Sequence, residues 1–392
     1  MLSKMNSLKA YCYTRNKYFV GLFLVILTFV FVKDLNGWGS TGHSIINRKT
    51  TIYFPISMEA FKSWAEYLAL HASDADYRKG SDPSEGPKHY IDIDNYSEFF
   101  AGNMPTSFDT LVARYGLTFV MDQGILPWAT VTTFDSLTKA FQGKDWERAK
   151  LFAADLGHYV GDAHQPLHIT RNYDGQFTNQ RGIHSRYETQ MINRYQGMIT
   201  FLVDSVTNVS SPLDFVFNYI FNSYSYLDDV LRADSIAKAA AGNTTSEYYY
   251  SLFWDYSNTY TVELFRLASR NLASLIYSAW LKAGSPVLPA SLVEDFTTVP
   301  KTFTLYQNFP NPFNYSTQIR YYIPKELSNE FVLIKVTDTL GREVTTLVSE
   351  PKSEGFQQIE FDAAFHKLTS GIYTYQIQVG SYSESKKMNY VK

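Results

Sequence analysis

The stretch His158-Tyr-Val-Gly-Asp-Ala-His-Gln-Pro-Leu-His168 constrains this chain more than any other. It ends a helical run in which Trp146, Ala149, Phe152, Leu156 and Tyr159 supply the apolar positions and Asp145 stands at the N-cap. His158 and Asp162 are four residues apart, so both side chains leave one helix face a turn apart and can share a metal. Pro166 removes a backbone donor and breaks the helix, which sends His168 toward a different point in space. One segment therefore offers ligands to two sites. A second pair at helical spacing, His184 and Glu188, lies in Gly182-Ile-His-Ser-Arg-Tyr-Glu188. Imidazole plus carboxylate is a donor set that zinc accepts.

The ends of the chain frame that centre. With 392 residues there is room for two domains and a sizeable core. Residues 1–37 open with Lys4, Lys9, Arg15 and Lys17, continue through the apolar run Tyr18 to Val32, and leave by Lys-Asp-Leu-Asn-Gly. This reads as a secretory signal peptide cleaved before Trp38, because the apolar run is shorter than a comfortable membrane span. Cys12, the only cysteine, would leave with it, so no disulfide framework is expected. The lost segment is basic, so the remainder is more acidic than the formal net charge of −3 and lacks the basic footprint of a nucleic-acid binder. Cleavage would also free an α-amino group at Trp38. That nitrogen and the Trp38 carbonyl can chelate one metal, with His43 nearby on a first helix whose Ile45 and Ile46 suit a core-facing stripe.

From Met58 to Leu70 the pattern is helical and leads into a carboxylate-rich turn, His71 to Arg78, that holds Asp74, Asp76 and Tyr77. Gly86 to Asp94 carries His89. Residues 190 to 282 hold several aromatic-rich helical stretches, the last from about Tyr260 to Lys282 with a stop at Gly284. Residues 286–302 read as a Pro- and Ser/Thr-rich linker. Beyond it the β-rich runs 319–323, 331–337, 343–348, 357–361, 372–379 and 383–391 are separated by turn signals at Gly341, Gly355 and Gly371. The predicted fold is a mostly α-helical domain, residues 38–285, followed by a small antiparallel β-sandwich, residues 303–392.

Taken in order, Trp38-Gly39 with His43, Asp76-Tyr77, His89-Tyr90, His158-x-x-x-Asp162, Gln165-Pro-Leu-His168 and His184-x-x-x-Glu188 resemble the zinc-dependent phospholipase C and single-strand nuclease superfamily. The resemblance implies a helical domain holding three Zn²⁺ ions. By position it puts Asp76, His89, His158 and Asp162 on one zinc and lets Asp162 bridge to a second held by Trp38 and His43. His168, His184 and Glu188 fall on the third. Asp74 is the alternative to Asp76, since a shift of two in the loop is invisible in sequence. The implied chemistry is phosphodiester hydrolysis by a zinc-bound hydroxide, with Asp76 as a further proton acceptor. The Glu188-bearing motif is similar to the phospholipase branch, because the nuclease branch is expected to show Asn-Leu-His-x-x-Trp-Asp after a Gly-Gly-Asn segment. The five-residue step from Trp38 to His43 is nuclease-like. Tyr77 matches an aromatic of the phospholipase choline pocket, whereas Thr41 and Gly86 stand where its acidic and Phe partners would be.

The tail has its own resemblance. Leu305-Tyr-Gln-Asn-Phe-Pro-Asn-Pro-Phe-Asn314, Asp338-Thr-Leu-Gly-Arg342, Leu368-Thr-Ser-Gly-Ile-Tyr373 and Lys386-Lys-Met388 are similar to the C-terminal sorting domain of type IX secretion substrates. It implies export through the periplasm by that machinery, then release or attachment at the cell surface. The expectation is therefore a secreted zinc phosphodiesterase acting on phospholipid. Its alternatives are a nuclease on the same scaffold and a surface binding module in which zinc is structural.

Overall fold

A computed structural model describes residues 38–290 and 302–391, apart from 309, 310, 314, 315, 364 and 365. The expected signal peptide and most of the expected linker lie outside the described residues. What is described is mostly helical up to residue 282 and antiparallel β from residue 304 onward.

The helix Trp146–Ala163 organises the helical part. Asp145 caps it, its carboxylate accepting the Arg148 N–H at 3.2 Å. The first helix, Gly39–Thr50, crosses it where the side chains are smallest. A Cβ on Gly157 would lie 2.1 Å from Asn47 Oδ1, and one on Gly161 would lie 2.8 Å from His43 Nδ1. These two glycines let the helices approach closely enough for His43 to reach Asp162. Asn47 fixes the crossing by donating to the carbonyls of Leu68 at 3.0 Å and Ala154 at 3.1 Å.

The last helix runs from Glu247 to Lys282, starting well before the expected Tyr260. Ser246 caps it by accepting the Tyr249 N–H at 3.2 Å, and Tyr249, Tyr250, Phe253 and Trp254 are all buried. Its first turns are therefore held by packing as well as by the cap. Met58 to Leu70 is helical but divided: a 3₁₀ segment Ile56–Trp64 is followed by an α-helix Ala65–Leu70. Among the described residues, no helix is long and apolar enough to cross a membrane.

The C-terminal part is a two-sheet sandwich of β1 (Thr304–Leu305), β2 (Ser316–Ile323), β3 (Phe331–Thr337), β4 (Glu343–Pro351), β5 (Gly355–Asp362), β6 (Gly371–Val379) and β7 (Tyr382–Tyr390). One sheet has the order β1-β2-β5 and the other β4-β3-β6-β7. Alternation places Val332, Ile334 and Val336 of β3 in the core against Tyr375, Ile377 and Val379 of β6. Edge strand β7 carries Lys386 and Lys387, charges that discourage strand addition. The described helical and β residues belong to one compact unit.

Candidate metal centre

Three groups of side chains bring potential metal donors within 4.8 Å of one another: His43 with His158 and Asp162, Asp76 with His89 and His158, and His168 with His184 and Glu188. The first and second share His158. Asp162 joins them, with Oδ1 3.3 Å from His43 Nε2 and Oδ2 3.1 Å from His89 Nδ1 and 3.3 Å from His158 Nε2. Asp76 Oδ1 is 3.5 Å from both His89 Nδ1 and His158 Nε2. In the third group, Glu188 Oε2 is 3.4 Å from His168 Nε2 and 3.0 Å from His184 Nε2.

These spacings fit a metal. Donors about 2.0–2.1 Å from zinc at tetrahedral angles stand roughly 3.3–3.4 Å apart. The observed separations of 3.0–3.5 Å bracket that value. The rings are also turned correctly. Nδ1 of His158, His168 and His184 lies 2.7, 2.7 and 3.0 Å from the carbonyl oxygens of Ala72, His89 and Tyr173. Each Nδ1–H donates outward and leaves the Nε2 lone pair facing the group. Among the described residues, the buried atoms His43 Nε2, Asp162 Oδ1 and His168 Nε2 have no hydrogen-bond partner. A buried acceptor without a partner is costly, and a cation would satisfy all three.

Charge makes the same point. Burial disfavours the ionised form of Asp162, yet His158 and His168 outweigh it and hold the carboxyl well below its usual range. For Asp76, burial is likewise overcome by Lys79, His158 and His89. Burial disfavours the His158 imidazolium, but Asp76 and Asp162 raise its pKa well above the ordinary value. His43 goes the other way, lowered first by burial and then by His158, whose ring stacks on it at 3.9 Å. The two buried carboxylates thus demand positive charge, which a proton on His158 supplies in the metal-free chain.

Local structure explains how each donor arrives. Asp76 sits on the short helix Asp74–Arg78, and Asp74 on the same helix points to Arg320 and His71 instead. Of the two carboxylates left open by the sequence, the structure brings Asp76 to the donor group. His168 follows the helix break in a 3₁₀ turn, Pro166–His168. His184 lies on the α-turn Ile183–Ser185, but Glu188 lies in a π-helical segment, Arg186–Met191. The four-residue spacing suggested an ordinary helix, whereas the backbone there is wider, a departure common at functional sites. Trp38 is fully buried against Phe265 and Tyr187 at ring distances of 4.6 and 5.3 Å. Its carbonyl accepts the Gly42 N–H at 3.0 Å. A Cβ on the next residue, Gly39, would lie 3.6 Å from the Glu188 carbonyl, so Trp38 abuts the segment bearing that carboxylate. Tyr77 is half-buried beside Asp76 and outside the three groups.

Glu85 escaped the sequence reading, although Glu85-Gly-Pro-Lys-His89 has the same four-residue spacing as the recognised pairs. It is buried, and its Oε1 lies 3.6 Å from His89 Nε2, on the far side of the ring from Asp162. Burial opposes its ionisation, but His89, Arg78 and Lys88 outweigh it and keep the carboxyl below its usual range. A carboxylate behind a ligating imidazole orients the ring and raises its basicity. Glu85→Gln is expected to weaken zinc binding about 10- to 100-fold while leaving the helical content unchanged, as read by chelator competition and circular dichroism.

His164 is buried and structural. Its Nδ1–H donates to the Val160 carbonyl at 2.7 Å and its Nε2 accepts from Asn271 Nδ2 at 2.9 Å. Burial lowers its pKa to about 4 from 6.5. The unfolded chain therefore binds this proton first, so the stabilisation is complete above about pH 6.5 and is lost as pH falls toward 4. His164→Gln should flatten the melting-temperature profile between those values; an unchanged slope would contradict the assignment.

Residues 307–390 match the family described as the secretion system C-terminal sorting domain. The chain is therefore a substrate of type IX secretion, exported to the cell surface or the extracellular space. A probable serine protease of Bradyrhizobium tropiciagri is 24% identical over 271 residues, covering 55% of this chain and 34% of that protein. The chain thus spans about a third of the length of that curated relative. Among solved structures, the alpha-toxin of an avian strain of Clostridium perfringens aligns with a TM-score of 0.42 at 11% identity, covering 91% of this chain and 98% of the toxin. The alpha toxin of Clostridium absonum aligns at 0.39 and 9%, covering 92% and 97%.

Proposed function

We propose that this chain is an exported zinc-dependent phosphodiesterase acting on phospholipid. The observation that carries the proposal is the donor spacing: three buried groups, each combining imidazole and carboxylate, with separations that suit tetrahedral zinc. In this reading Asp76, His89, His158 and Asp162 hold one zinc, and Asp162 also faces a second held by His43 and by the backbone of Trp38. His168, His184 and Glu188 hold the third. Bound there, zinc supplies Lewis acidity toward a phosphoryl oxygen and toward water.

The chain's own residues do the rest. Asp162 presents one oxygen to each of two groups and so fixes their spacing. Glu85 sits 3.6 Å behind the His89 ring, and the carbonyls of Ala72, His89 and Tyr173 fix three further rings. Asp76, at the least buried edge of the centre, is the carboxylate this reading assigns as a further proton acceptor. Tyr77, next to it in sequence and half-buried, is the aromatic this reading assigns to a cationic head group. Phospholipid is favoured over nucleic acid by the Glu188-bearing motif and by a net charge of −3, which gives a polyanion no long-range attraction.

The test is to incubate zinc-loaded protein beginning at Trp38 with phosphatidylcholine vesicles and, separately, with single-stranded DNA. Release of a phosphorylated head group supports the proposal. Cleavage of DNA alone rejects the lipid assignment, and inactivity of zinc-replete protein on both leaves zinc a structural role.

A further inference from the structure

The helix that delivers Asp76 has only five residues, Asp74–Arg78, too few to be stable by itself. Both of its ends are tied down. Arg78 pairs with Asp155 at 3.0 Å and Glu85 at 3.4 Å, which fastens the C-terminal end to the helical part. The N-terminal end is held from elsewhere. Asp74 is buried, with one oxygen 2.5 Å from His71 Nδ1 and the other 3.2 Å from Arg320 Nη2 on β2 of the sandwich. Arg320 is itself buried, 246 positions away in sequence. Tyr306 and Asn308 of the sandwich line a cavity of about 320 Å³ at this contact, together with Leu70 and His71.

We propose that Arg320 is a positioning residue for the metal centre, so that the C-terminal sandwich helps to set zinc affinity at the group containing Asp76. This inference rests on the metal reading above. Arg320 fixes Asp74, the helix fixes the two-residue step to Asp76, and Asp76 Oδ1 is thereby held between His89 and His158. A buried guanidinium suits this role because its planar fork is pre-organised and loses little freedom on pairing. The His168, His184 and Glu188 group has no donor on this helix and should not sense the contact. Detaching the sandwich, or breaking the pair, therefore weakens one part of the centre selectively.

The experiment compares full-length wild type with Arg320→Gln and the conservative Arg320→Lys. Hydrogen exchange of amides 75–79 is measured on metal-free protein, and zinc titration is followed by histidine side-chain NMR, which reads His89 and His158 separately from His184. Arg320→Gln should speed exchange in that helix about tenfold and weaken zinc binding at His89 and His158 by about tenfold. Binding at His184 should stay within twofold, and Arg320→Lys should recover part of the loss. Unchanged exchange and affinity in Arg320→Gln, with zinc bound by wild type, would overturn this inference alone, as would an equal loss at all three histidines. A wild-type chain that takes up no zinc overturns the metal reading itself, whatever the exchange data give.

Discussion

Asp162→Asn is expected to empty two of the three donor groups at once. Its two oxygens face different partners, Oδ1 toward His43 and Oδ2 toward His89 and His158, so one replacement disturbs both of the groups that share His158. The substitution also takes away a buried negative charge that offsets the His158 imidazolium. Breaking a buried ion pair from one side costs about 3–5 kcal/mol. The variant should therefore retain zinc only at the His168, His184 and Glu188 group, lose phosphodiesterase activity and unfold at lower temperature. Metal analysis beside calorimetry checks this, and a variant with wild-type zinc content would contradict the shared role given to Asp162.

Stripping the metal should have an even larger effect on stability. A ligand that binds only the folded chain, present at a hundredfold over its dissociation constant, contributes about 2.7 kcal/mol. Three such ions contribute roughly 8 kcal/mol. For a domain of about 250 residues each kcal/mol shifts the midpoint by about 2–4 °C, so chelation should lower it by roughly 15–30 °C. The physical source is convergence: the donors come from the helix Gly39–Thr50, the helix Asp74–Arg78, the His89 turn, the helix Trp146–Ala163, the turn Pro166–His168 and the segment 183–191. Without a cation, buried donors such as His43 Nε2, Asp162 Oδ1 and His168 Nε2 are left without a partner where these segments meet. Restoring zinc should return the midpoint, whereas magnesium, which prefers octahedral oxygen coordination, should not.

Local signals were the legible ones. His158 and Asp162 could be paired from spacing because one continuous helix carries both, and Pro166 marked the turn that frees His168. Strands 331–337 and 371–379 could be read because alternation and flanking turns are properties of neighbouring residues. What depended on distant contacts was not legible. Asp74 and Asp76 look alike in sequence, and the partners that draw Asp74 away from the centre include Arg320, far along the chain, as well as His71. The π-helical segment at Glu188 has the same residue spacing as an α-turn, so its wider backbone leaves no mark. The last helix was read too short because its first turns are polar and tyrosine-rich and are buried by tertiary packing. Glu85 was legible in principle, four residues before His89, but a carboxylate behind a ligand has no pattern of its own until the ring it orients is known.

If the three imidazole–carboxylate groups are zinc sites, the chain must carry zinc in fixed proportion. Elemental analysis of the purified protein beginning at Trp38, dialysed against zinc-containing and then zinc-free buffer, tests it most directly. Three zinc ions per chain are expected, falling to one in Asp162→Asn. A wild-type protein that retains no zinc, or holds the same amount after Asp162 is replaced, would contradict it.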